Sequence, residues 1–138
     1  MSCQHDDERV IGWICNGIQN SEAIEWARNF AKHLLEGDNR KKLTTSQLRR
    51  FFGQLKRLQA MGYDHEDKQH LLMLKPQLAY AAGRADKDAK IRDFARVLER
   101  MITEVEKATS EEDAKKRFQN FVNLTEAIVA YHKIEGGS

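Results

Sequence analysis

The sequence predicts an all-α fold, a compact bundle of about five helices. Three observations carry that expectation. Apolar residues recur at spacings of three and four in successive blocks, the period of helices that bury one face. A single proline, Pro76, stands in 138 residues, which fits helices with short links better than a many-turned β fold. No strand-like alternation, internal repeat or low-complexity block interrupts the pattern. The length supports one domain with a real core. A hydrophobic share of 41% with 32% charged residues describes a folded chain rather than a disordered one.

Residues 1–20 read as a partly ordered N-terminal tail. Val10, Ile11, Trp13, Ile14 and Ile18 are apolar there, but Gly12 and Gly17 interrupt them, and Trp13 is expected to pack locally. The bundle domain spans 21–134. Its first helix is expected over 21–35, with Ser21 as N-cap and Glu22 and Glu25 at its positive end. Ile24, Ala27, Ala31 and Leu34 share a face, and Gly37 fits the stop. The second helix, 45–61, opens on a capping box, Thr44 with Gln47, and ends at Gly62. Leu48, Phe51, Phe52, Leu55 and Leu58 are expected to form its core face. The stretch 64–83 reads as a broken helix: an acidic turn at 64–67, an extended Lys75, Pro76 opening a short helix, and Gly83 closing it. The fourth helix is expected over 86–108, with Ile91, Phe94, Ala95, Leu98, Met101, Ile102 and Val105 inward. The fifth, 109–134, starts at Thr109 with Glu112 as a second capping box. It turns Ala114, Phe118, Phe121, Val122, Ile128 and Tyr131 inward, and 135–138 form a frayed end.

Several function classes fall away. No apolar run approaches the ~20 residues of a membrane helix. The acidic, polar start is no signal peptide, so a cytoplasmic protein without membrane contact is expected. Cys3 and Cys15 lack metal-ligand spacing and read as free thiols. His65 and His70 are five apart, so the pair does not share a helix face as a zinc-protease motif requires. His33 and His132 are isolated, and no phosphate-cradling glycine loop or supported nucleophile is present. No catalytic residue, metal or cofactor is therefore assigned.

What remains is charge. Between Asp38 and Arg57 stand seven basic residues and one acid, a local +6 in a chain of +2. On a wheel of about 100° per residue, Arg49 and Lys56 form one row and Arg50 and Arg57 a second, opposite the core face. The small residues Gly53 and Ala60 lie between the rows. Such a floor lets a phosphate backbone approach, and no acid between Lys41 and Arg57 is available to pair along the helix. The alternative is a solvated charged face. Arg92, Arg96 and Arg100 form another stripe, but Asp88, Asp93, Glu99 and Glu104 stand three or four residues away, so a salt-bridged surface is expected there. Tyr80 could stack on a base, though packing with its hydroxyl bonded is the commoner use of such a tyrosine.

Thr-Thr-Ser-Gln-Leu-Arg-Arg-Phe-Phe at 44–52, followed by Leu-Lys-Pro-Gln-Leu-Ala-Tyr-Ala-Ala-Gly-Arg at 74–84, resembles the small subunit of type III-A CRISPR effector complexes, the Csm complex, over about 21–131. The resemblance implies a compact helical subunit without an active site of its own. It implies stacking of several copies beside other subunits, along a channel that holds guide RNA and target RNA. Cleavage chemistry belongs to other subunits. By the family motif Arg49 and Arg84 are the RNA-facing residues, with Lys56 and Lys75 next. The charge argument adds Arg50, Arg57, Lys41 and Lys42. Two rivals remain: a helical DNA-binding regulator using Arg50 on a recognition helix, and an adaptor whose basic face meets an acidic protein.

Overall fold

The computed structural model describes residues 8–63 and 68–136. Seven helices and no strand occur among the described residues: α1 (Glu8–Asn16), α2 (Ser21–Leu34), α3 (Thr45–Met61), α4 (Lys68–Leu72), α5 (Leu74–Arg84), α6 (Lys90–Glu106) and α7 (Glu111–Ile134). The all-α expectation holds. The excess over five comes from a helix inside the supposed tail and from the break in 64–83 falling between two helices. Cys3, His5, the acidic turn at 64–67 with His65, and Gly137 and Ser138 lie outside the described residues.

The stretch read as a partly ordered tail holds α1, which packs on α6 and α7 with Val10 and Ile14 buried. Trp13 tilts against Trp26 at 5.8 Å between ring centroids, and the Arg9 guanidinium lies over the Trp13 ring. Gly12 does not break the helix, because a nine-residue element held by tertiary packing tolerates the ~1 kcal/mol that an interior glycine costs. Cys15 points its thiol at Glu104, 3.8 Å away, and burial pushes the thiol's pKa up.

Element ends show how local chemistry was misplaced by a residue or two. Asn20, not Ser21, caps α2 through its side chain to the Glu22 amide. Ser110, not Thr109, caps α7, accepting from the Asp113 amide at 3.1 Å. The Thr44–Gln47 capping box on α3 forms in both directions, at 2.9 and 3.1 Å. Thr44→Ala is expected to lower stability by about 1 kcal/mol and the thermal midpoint by a few degrees, read by circular dichroism.

Lys75 is helical, not extended. Pro76 sits in the first turn of α5, where backbone amides have no intrahelical partner, so its missing donor is not felt. Gly83 is helical too, and α5 runs on through Arg84. By contrast Gly62 ends α3 at φ 79°, a left-handed turn that suits glycine. That turn brings Tyr63 back onto Phe118, with the rings stacked at 4.2 Å. α6 begins at Lys90 rather than 86, since Asp86 to Ala89 form a turn closed by the Ala89 amide on the Asp86 carbonyl.

The core is one cluster, and every α6 residue expected inward is buried. On α7 Tyr131 is only half-buried, and His132 takes the interior place beside it. α7 touches α1, α2, α3 and α6, while α5 and α4 lie on α6. α3 therefore leans chiefly on α7 and α5 on α6, and the two share little direct contact. A trench is left between them.

Candidate nucleic-acid interface

α3 buries Leu48, Phe51, Leu55 and Leu58, so its opposite side must face out. Arg49, Arg50, Gly53, Lys56, Arg57 and Ala60 are all exposed, as the wheel requires. Arg49, Arg50 and Arg57 form the basic wall of an open cleft of ≈720 Å³ between α3 and the α4–α5 corner. Its other wall and floor are Leu58, Leu74, Met61 and Met73, with the amides of Gln54 and Gln77 and the imidazole of His70. Arg50 also lines the next cleft, ≈360 Å³, together with Arg84 from the end of α5. Arg84 in turn lines a third, ≈280 Å³, with Arg40, Lys41 and Lys42. The shared arginines make these one trench, with Arg50 and Arg84 at its joints.

The loop that carries Arg40 to Lys42 is strapped down at three points. The Leu43 amide donates to the Leu34 carbonyl at 2.7 Å, and the Lys90 amide donates to the Lys41 carbonyl at 2.6 Å. The buried His132 donates from Nε2 to the Leu43 carbonyl at 2.8 Å. A fixed loop loses little further entropy when a ligand settles on it.

The expected residues do not all join the trench. Lys75 lies about 160° around α5 from Gln77 by the helical period, and its Nζ bonds Glu106 on α6 at 2.6 Å. That half-buried pair holds α5 to α6, a partner invisible in the local sequence. Lys75→Ala is expected to leave polyanion affinity unchanged within about twofold while costing roughly 1 kcal/mol of stability, checked by anisotropy and a thermal melt. Lys56 leans to the α7 flank, 3.9 Å from Glu126 and over the Phe52 ring. Lys41 stays at the trench edge but pairs with Asp88 at 2.7 Å. Their mutual hydrogen bond raises the Lys41 pKa and lowers that of Asp88. Arg40, counted in the charge run but not among the expected contacts, lines the trench with Lys42.

Tyr80 is 67% exposed, not packed, and Arg84 stands over its ring at 5.4 Å. The control stripe is the expected salt-bridged surface only in part, since two of its three arginines reach carboxylates. Arg96 meets Asp93, Arg100 reaches Glu8 of α1, and Arg92 bonds the carbonyls of Ala85 and Asp86. No cluster of groups that could hold a metal ion occurs among the described residues, and no helix there is long and apolar enough to cross a membrane.

A bundle without strands among the described residues, with a run of arginines along one trench, defines a class: a small all-α protein with a concentrated basic face. The family model for Csm2 Type III-A matches residues 19–138, and the chain belongs to that family. It is a small subunit of the type III-A CRISPR effector, the Csm complex, and so associates with other subunits of that complex. Comparison with curated proteins and with solved structures gives no match.

Proposed function

We propose that this subunit binds the backbone of guide and target RNA along the α3–α5 trench, independently of sequence, and supplies no chemistry. The observation that carries the reading is the continuity of the trench. Arg49, Arg50, Arg57, Arg84, Arg40 and Lys42 follow one another along it, and none forms an ion pair among the described residues. Cations left without carboxylate partners are free to neutralise phosphates, which gives affinity without base readout. Specificity then rests with the guide by base pairing. Copies stacked side by side act together, so each needs only modest affinity.

The test is fluorescence anisotropy of the full chain, and of the reconstituted complex, with single-stranded RNA and duplex DNA across a salt series. Six contacts on a single strand predict a log–log slope of about −4. RNA of unrelated sequences is expected to bind alike. A flat salt response would point to a protein-only adaptor. A marked preference for duplex DNA would point to a regulator.

A further inference from the structure

A phosphate backbone uses the guanidinium wall of the ≈720 Å³ cleft and leaves its apolar floor without a role. Met61 is 64% and Met73 54% exposed, two of four strongly exposed large hydrophobic residues in the described chain. Both line this cleft, with Leu58 and Leu74 beneath. Exposed apolar surface gathered in one place marks a contact site. We propose that this cleft seats an unpaired nucleobase of the bound RNA, with the flanking phosphates held by Arg49, Arg50 and Arg57. The proposal rests on the RNA reading above and names what that RNA places here.

The chemistry of the walls fits a planar heterocycle. Guanidinium planes stack on bases, and the methionine thioethers are soft, adaptable surfaces for a flat ring. Gln54 and Gln77 each offer a donor and an acceptor to a base edge, which bases of any identity can use. Among the described residues no carboxylate lines the cleft. Its volume of ≈720 Å³ falls in the range of sites that enclose small ligands. At Gly53 a side chain would meet nothing within 4 Å, so the mouth above the base stays open. An amphipathic helix from a neighbouring protein would want a continuous apolar stripe. Here four apolar side chains are interspersed with three guanidiniums, two amides and the His70 imidazole, which suits a base better.

The test compares single-stranded RNA with RNA of the same length carrying abasic sites, using the full chain and the reconstituted complex. The native protein is expected to bind the abasic RNA about tenfold more weakly. Met61→Ser/Met73→Ser, at exposed positions that do not support the fold, is expected to erase that difference and leave the salt slope unchanged. Equal binding of both RNAs by the native protein, with a steep salt response, would overturn the base site while the backbone reading survives. No binding of either RNA by chain or complex would overturn both. Loss of a neighbouring subunit from the Met61→Ser/Met73→Ser complex, with RNA discrimination intact, would give the cleft to a protein partner and overturn the proposal.

Discussion

Arg50→Glu/Arg84→Glu is expected to lower affinity for single-stranded RNA about a hundredfold at moderate salt and to flatten the salt slope by about 1.4. The size follows from position. Arg50 lines both the first and second clefts and Arg84 both the second and third, so reversing the pair cuts the trench at each joint. Neither arginine pairs with an acid among the described residues, so nothing in the folded chain compensates the change. Both are exposed, and exposed substitutions away from caps and networks move stability by about 0.5 kcal/mol or less. Loss of binding with an unchanged thermal midpoint is therefore the expected pair of readings. A reversal that left RNA affinity and slope as they were would remove the trench from consideration as the RNA site.

The contrast with lysine sharpens the expectation. Lys41, Lys56 and Lys75 each lie within 4 Å of a carboxylate, those of Asp88, Glu126 and Glu106 respectively. Each carboxylate comes from an element distant in sequence, so a charge count along 38–57 could not register it. The arginines of the trench stand over the gap between α3 and α5, whose lining among the described residues holds one acid, Asp86, and none of them pairs with it.

The legible parts of the fold were those governed by local chemistry. The Thr44–Gln47 box needs only two side chains three residues apart, and its spacing was visible and correct. The core face of α6 was visible because seven buried residues repeat at helical period over two or more turns. The hidden parts depended on distant contacts. α1 carries two glycines in and beside it and owes its place to burial of Val10 and Ile14 against α6 and α7. Lys75 before Pro76 follows a rule for chain interiors, which lapses when proline falls in a first helical turn. His132 looked isolated because its partner, the Leu43 carbonyl, is 89 residues away. For the site, two basic rows could be drawn on a wheel, but which row faced a cleft depended on α3 resting on α7 and α5 resting on α6.

That dependence gives the second large effect. Phe94 is fully buried on α6, and its ring meets Phe51 of α3 edge to face with centroids 6.0 Å apart. α6 also bears α5, so the Phe51–Phe94 contact ties α3 to the helix that carries the other wall of the trench. Phe94→Ala is expected to cost about 3–5 kcal/mol, the transfer energy of the ring plus the void it leaves. Against a net stability of about 5–15 kcal/mol, that loss removes from a fifth to all of what holds the chain folded. Phe94→Leu keeps most of the volume and is expected to cost roughly 1.5 kcal/mol. Urea titration reads both as a lower midpoint at unchanged slope, because the surface exposed on unfolding stays nearly the same. Under conditions where the Leu variant is fully folded, its RNA affinity is expected to fall only a fewfold, with the salt slope retained, since the arginines remain while the α3 wall shifts. A cost below about 1 kcal/mol for Phe94→Ala would mean that α3 is positioned by α7 without help from α6, and the width of the trench would then be set by one helix contact rather than two.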